Sequence, residues 1–90
     1  MKTMDLIEQF EESLQKAYER EAAYLNEALQ YDTRYHHAIA HSSGTNAEGR
    51  KADAVLQTAD IAARKARLEL EARIEWERVK LYQAIARRSE

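Results

Sequence analysis

Apolar residues in the first half of the chain recur at steps of three, four or seven residues. They are Ile7, Phe10, Leu14, Ala17, Tyr18, Leu25, Ala28, Tyr35 and Ile39. This is the period of an α-helix, whereas a half-buried strand would alternate at every second residue. Neither Gly nor Pro interrupts the segment, and strong helix formers fill the positions between. The pattern therefore predicts one helix from about Thr3 to His41.

A second helical pattern follows a short break that contains Gly44, and it predicts a helix over about 46–88. Gly44 suits the left-handed residue that commonly ends a helix. Thr45, with Glu48 three residues later, matches a capping box that starts the next helix. The sequence thus predicts a turn over residues 42–45.

Two helices of nearly equal length joined by a short break fold back on each other. We therefore expect an all-α protein, a single domain over residues 1–90 that forms a long antiparallel helical hairpin. The structural alternative is one uninterrupted helix, because Gly44 and Gly49 each weaken a helix by only about 1 kcal/mol. In that alternative the Thr45–Glu48 capping box would have no role.

The second predicted helix carries two apolar stripes on nearly opposite faces, and one partner helix covers only one of them. The alanine-rich stripe consists of Ala52, Val55, Leu56, Ala59, Ala63, Ala66, Leu70, Ile74, Leu81 and Ile85. Its small residues permit close approach, so we expect it to pack on the first helix. The second stripe consists of Ile61, Leu68, Ala72, Val79, Tyr82 and Ala86. We expect this second stripe to be an oligomer or partner interface.

The first helix adds to this apolar surplus, since further apolar residues widen its face to roughly half of the circumference. They include Leu6, Phe10, Ala17, Tyr24, Tyr31 and Ala38. Chains in water seldom leave large apolar patches uncovered. A dimer of two hairpins, forming a coiled-coil-like four-helix assembly, is the simplest solution. The alternative is a monomeric hairpin with ordinary scattered apolar residues on its surface.

Four charged residues interrupt the apolar faces: Glu21 and Asp32 in the first helix, and Arg73 and Glu77 in the second. In coiled coils such residues can fix the register and the number of partners. More often they lie at the edge of an interface and reach water, which is the outcome we expect here.

Composition adds two constraints to this picture. The 90 residues include no Cys, so oligomerisation is the means left for stabilising a small core. The net charge of −2 conceals a division, with 4 Lys/Arg against 8 Asp/Glu in residues 1–41 and 10 against 8 in residues 42–90. An acidic first half should attract a basic second half. Early acidic residues and the absence of any long apolar run predict a cytoplasmic protein with no membrane partner.

One cluster has side chains that could bind a metal ion: Asp32, His36, His37 and His41. Asp32 with His36, and His37 with His41, are spaced to share a helix face, but the two pairs point about 100° or more apart. Helix C-termini also favour His for electrostatic reasons. Ser42 lies at a turn that provides no pocket. We therefore expect no enzyme activity, no metal site and no cofactor.

A nucleic-acid role is the main functional alternative, because the second helix is rich in basic residues. They are Arg64, Lys65, Arg67, Arg73, Arg78, Lys80, Arg87 and Arg88. Glu69, Glu71, Glu75 and Glu77 lie among them and would repel phosphates. The usual interpretation is a solvated charged face.

The segment 44–52 reads GTNAEGRKA and lies between two long charged helices. It resembles a turn of the form Gly-x-Asn-Ala-x-x-Arg-x-Ala in small uncharacterised two-helix proteins of tailed bacteriophages. The resemblance implies a non-enzymatic phage accessory protein in the bacterial host cytoplasm that contacts a phage or host protein. The alternative it leaves is an accessory factor in phage recombination or replication that associates with nucleic acid.

Five residues carry the turn itself: Gly44, Thr45, Asn46, Glu48 and Arg50. A capping role is the structural interpretation of this motif. The functional interpretation is that the turn presents Asn46 and Arg50 to a partner.

Overall fold

The computed structural model describes residues 3–89 of the chain. These residues form three α-helices and no strand: α1 spans Thr3–Ala40, α2 spans Ala47–Gln57 and α3 spans Ala59–Ser89. The molecule measures 64 × 16 × 15 Å along its principal axes. That length is close to the roughly 57 Å that the 38 residues of α1 occupy at about 1.5 Å per residue. The all-α prediction is confirmed.

The end of α1 lies within one residue of its predicted position. The amide of His41 still donates to the carbonyl of His37 at 3.0 Å, and Ser42 then donates to Ile39 at 3.4 Å. The second bond spans three residues and tightens the last turn, as is common at helix ends. Residues 41–46 are not helical. The alternative of one uninterrupted helix is therefore wrong.

The predicted second helix is divided at Thr58 into α2 and α3. Thr58 has φ −107° and ψ 9°, and both its backbone amide and its Oγ1 donate to the carbonyl of Ala54, at 3.0 and 2.7 Å. A threonine hydroxyl that bonds the carbonyl four residues earlier bends a helix. The amide of Ala62 donates to the carbonyl of Thr58 at 2.9 Å, so the helix resumes at once. The continuous helix over 46–88 was wrong at this position.

The long helix α1 contacts both α2 and α3. The Tyr18 ring meets Trp76, whereas Glu27, farther along α1, lies 3.2 Å from Arg64, which comes earlier in α3. Beyond the end of α1, Ser42 reaches Asp53 in α2. Residue numbers rise along α1 as they fall along its neighbours, so these contacts run in opposite directions.

The structure reverses the predicted burial of the two stripes. The buried and half-buried positions of α2 and α3 include a series with alternating steps of four and three residues, which we call the seam. The seam consists of Ala54, Thr58, Ile61, Lys65, Leu68, Ala72, Glu75, Val79, Tyr82 and Ala86. All six residues predicted as an oligomer interface belong to it. Every residue of the alanine-rich stripe is exposed instead.

The spacing of the two stripes explains this reversal. Alternating steps of four and three average 3.5 residues, which keeps the seam aligned with one partner helix along its full length. The alanine-rich stripe contains consecutive steps of four, as at Ala66, Leu70 and Ile74, and it therefore drifts around the helix. On α1, the small residues Ala17 and Ala38 are likewise buried.

The N-terminus of α2 is capped by Asn46 and not by the predicted Thr45–Glu48 box. Asn46 is extended, with φ −138° and ψ 171°, and its side-chain oxygen accepts a hydrogen bond from the amide of Gly49 at 2.7 Å. Thr45 and Glu48 are exposed. Adjacent Thr and Asn residues allow two capping registers, and Asn is at least as good a cap as Thr.

Replacing Asn46 with Ala should lower the free energy of unfolding by about 1 kcal/mol, because the Gly49 amide loses its acceptor. Thr45→Ala serves as the matched control and should change stability by less than about 0.5 kcal/mol. Thermal and urea unfolding followed by circular dichroism will measure both variants. Equal losses in the two variants would contradict the assignment of Asn46 as the cap.

Gly44 has a different role from the predicted left-handed helix stop. No glycine among the described residues has a positive φ. A Cβ atom at Gly44 would lie 2.8 Å from the amide nitrogen of Arg50 and 2.9 Å from the carbonyl carbon of Gly49. Glycine is therefore needed because the turn passes against the first turn of α2.

Candidate interaction surface

The large aliphatic side chains lie mainly outside the molecule, and small ones lie inside. The buried apolar residues are Leu6, Ala17, Ala38, Ala54, Ile61, Ala72 and Val79. Ile61 is the one large side chain that is fully buried among the described residues. Ten large apolar residues are exposed, from 37% for Ile85 to 78% for Leu56. We call this set the exposed apolar surface: Ile7, Tyr18, Leu25, Leu29, Val55, Leu56, Leu70, Ile74, Leu81 and Ile85.

The two sides of the seam differ in chemistry. On one side the ring of Tyr18 packs edge-to-face on Trp76, with centroids 5.2 Å apart. Leu25 and Leu29 follow Tyr18 at helical spacing, so they extend this aromatic side along α1. On the other side an ion pair joins the Arg20 guanidinium to the Glu71 carboxylate at 3.5 Å. The aromatic side thus includes Tyr18, Leu25 and Leu29 of the exposed apolar surface.

The four charged residues expected to interrupt the apolar faces all reach water. Glu21, Asp32, Arg73 and Glu77 are exposed, which agrees with the expected position at an edge. Arg73 lies 3.6 Å from Glu69 in an exposed ion pair. Glu21 takes part in none of the ion pairs between described residues.

The seam holds polar groups that weaken it. Glu75 is buried; its Oε1 accepts a hydrogen bond from Arg78 at 3.3 Å, and its Oε2 is buried without a hydrogen-bond partner. On α1, Glu27 Oε1 lies 3.2 Å from Arg64 Nε, close enough for an ion pair, but the geometry does not make a hydrogen bond. Buried polar atoms without partners cost stability. Alanine and carboxylate together make the internal contact between helices a weak one.

The turn is held by its own hydrogen bonds. Ser42 Oγ donates to Asp53 Oδ2 at 2.8 Å and accepts from the amide of Gly44 at 3.1 Å. The side-chain oxygen of Asn46 is engaged in capping, and the Arg50 amide donates to the Asn46 carbonyl at 3.0 Å. These contacts favour the structural interpretation of the motif. The sequence did not reveal Asp53, because its partner lies eleven residues away across the turn.

The histidines make local contacts at the end of α1. The Nδ1 atoms of His36 and His41 lie 2.7 and 2.9 Å from the carbonyls of Asp32 and His37, which places a proton on each Nδ1. The His37 and His41 rings stack with centroids 4.0 Å apart. Among the described residues, no group of three or more His, Asp or Glu side chains is placed to hold a metal ion.

Several of the basic residues of α3 already have partners within the chain. Arg64, Arg73, Arg78 and Lys80 form ion pairs with carboxylates. Lys65 Nζ lies 4.7 Å from the centre of the Tyr31 ring. These contacts reduce the positive charge that α3 offers to an external anion.

No protein-family model matches this chain, and no curated protein or solved structure is significantly similar to it. None of the described helices is both long enough and apolar enough to cross a bilayer.

Proposed function

We propose that the protein is a non-enzymatic accessory protein, an antiparallel helical hairpin that self-assembles through its exposed apolar surface. A dimer is the proposed unit, and its charged faces are then available to dock another protein. The turn sequence in segment 44–52 supports an accessory role of the phage type, in the cytoplasm of a bacterial host.

One observation carries this proposal: large aliphatic side chains are exposed while alanine lines the inside. Leu56 and Leu29 are 78% and 67% exposed, whereas Ala17 and Ala54 are fully buried. Single exposed leucines are ordinary, but a series of large apolar residues over three helices marks an interaction surface. Ten such residues on a chain of 90 are a large share of its apolar side chains.

The dimensions of the molecule suit a dimer. A face of 64 × 16 Å has an area of roughly 1,000 Å², and a standard interface buries about 800 Å² on each partner. The weak seam supports the same conclusion, since a chain of this length buries a small share of its surface. A second hairpin on the aromatic side would cover Leu25 and Leu29 and add apolar contacts that one chain lacks.

A nucleic-acid role is the weaker proposal. Arg64, Arg78 and Lys80 are each paired with a carboxylate, and those carboxylates would lie close to any bound phosphate. Protein–protein contact is therefore the function that the surface supports best.

The first test is the solution mass of the purified protein by light scattering over a concentration series. We expect twice the 10.4 kDa of the chain, with dissociation on dilution if the interface is modest. A 10.4 kDa species at all concentrations would overturn self-assembly. Retention on a DNA column that is lost as salt rises would favour the nucleic-acid role instead.

A further inference from the structure

We infer that the second copy lies with its α3 across the α1 of the first, about a two-fold axis parallel to the long dimension of the molecule. This inference rests on the proposed self-assembly and specifies its partner surface. The alternative two-fold axis runs across the molecule and would place α1 on α1 and α3 on α3. Charge and side-chain size distinguish the two arrangements.

The net charges of the helices favour contact between unlike helices. α1 holds 3 Lys/Arg against 8 Asp/Glu, whereas α3 holds 8 Lys/Arg against 5 Asp/Glu. Packing α1 on α1 would bring two acidic surfaces together, and like charges at an interface are costly. Packing α1 on the α3 of a second copy pairs an acidic helix with a basic one.

Individual charges match at the same heights. A two-fold axis along the molecule leaves the height of every residue unchanged, so contacts within one chain show which residues become level between chains. Tyr18 is level with Trp76. Moving three residues along α1, and three back along α3, places Glu21 near the height of Arg73; the Arg20–Glu71 contact likewise places the two within one helical turn of each other. Both are exposed; Arg73 has an exposed ion pair with Glu69, whereas Glu21 has no ion pair with any described residue.

A second pair of charges is found near the end of the molecule. Arg20 is level with Glu71, since their side chains are 3.5 Å apart. Glu11 lies nine residues before Arg20 in α1, and Lys80 lies nine residues after Glu71 in α3, so these two residues are also level. Both are exposed, and the Lys80 ammonium has only a surface pair with Glu77. Glu11 and Glu21 on α1 of one copy therefore lie near Lys80 and Arg73 on α3 of the other.

Side-chain sizes match as well. Glu27 is level with Arg64, so Leu25 is level with Ala66 and Leu29 with Ala62. The two exposed leucines of α1 thus come opposite small residues of the second copy. Large side chains opposite small ones interdigitate, whereas leucine opposite leucine along α1 would hold the helices apart.

Cysteine crosslinking tests the arrangement, because the chain contains no Cys of its own. Leu25→Cys protein and Ala66→Cys protein are purified separately, mixed and treated with a short bis-maleimide. Intact-mass spectrometry distinguishes the mixed dimer from either homodimer. We expect the mixed dimer to exceed each homodimer at least fivefold.

The matched control uses Asn26→Cys with Arg67→Cys, which are exposed, lie at the same heights and point away from the aromatic side. This pair should give no mixed dimer above background. A Leu25→Cys homodimer equal to or exceeding the mixed dimer would overturn the arrangement. If light scattering shows a dimer in that case, self-assembly stands and only the arrangement fails; a monomer at all concentrations defeats both.

Discussion

Replacing Leu68 and Val79 together with Glu is expected to unfold the protein. Val79 is 3% exposed and Leu68 is half-buried in the seam, so both carboxylates would face α1. Each substitution removes apolar burial worth about 2 kcal/mol and adds a charge that is poorly hydrated. The combined loss of at least ~4 kcal/mol is comparable with the whole stability of a small domain.

Far-UV circular dichroism at a fixed protein concentration will measure this loss of helix. Leu68→Met with Val79→Ile is the control, since it keeps both positions apolar and should cost less than about 1.5 kcal/mol per site. If the glutamate variant instead remained helical and only its mass fell, the second stripe would be an intermolecular interface. The helices would then pack through the alanine-rich stripe.

Replacing Leu25 and Leu70 with Glu is expected to lower the solution mass of the protein while the helices remain folded. These leucines are 57% and 53% exposed, so the charges reach water within one chain and the chain retains its helices at low temperature. In a dimer the same charges would be buried against apolar neighbours, and association should weaken at least a hundredfold. The melting temperature should fall and lose its dependence on protein concentration, because folding is no longer linked to association.

Light scattering and thermal unfolding over a concentration series will measure these changes. Asn26→Glu with Gln30→Glu is the control, since it adds the same charge at exposed positions off the aromatic side. That control should keep the mass of the unsubstituted protein. If the Leu25→Glu, Leu70→Glu variant kept the full mass of a dimer, these two residues would not belong to the interface.

The composition of the seam explains why assembly and stability should be coupled. Ala54 and Ala72 of the seam and Ala17 and Ala38 of α1, with Glu75 beside them, provide little apolar area within one chain. The larger side chains that could supply it, such as Leu56 and Leu70, are outside. We therefore expect a second copy that covers this surface to raise the stability of the chain.

Local features of the structure were largely predictable. The end of α1 and the break near Gly44 follow from short-range preferences, which sequence patterns express directly. The cap at Asn46 was missed by one residue, because Thr45 and Asn46 are both competent caps and only the surrounding turn selects between them. The division at Thr58 was missed because a threonine in a helical pattern does not by itself predict a break: Thr33 makes the same hydroxyl-to-carbonyl bond inside the unbroken α1.

The sequence predicted that apolar surface would be left uncovered, but it did not predict where on the helices that surface would lie. The number of apolar residues on the two predicted helices indicated more apolar surface than a single contact between helices could cover. The stripe with Leu68 and Val79 is instead buried and half-buried within the chain; both stripes have a helical period, so a helical wheel does not distinguish them.

The sequence by itself determined that the described chain would be helical, where α1 would stop, and that large apolar side chains would exceed what two helices can hide. These are properties of single helices and of composition, so they do not depend on how helices meet. The tertiary structure alone decided which stripe faces inward. That choice depends on contacts maintained along the 64 Å length, where steps of four and three stay aligned with α1 and the alanine-rich stripe does not.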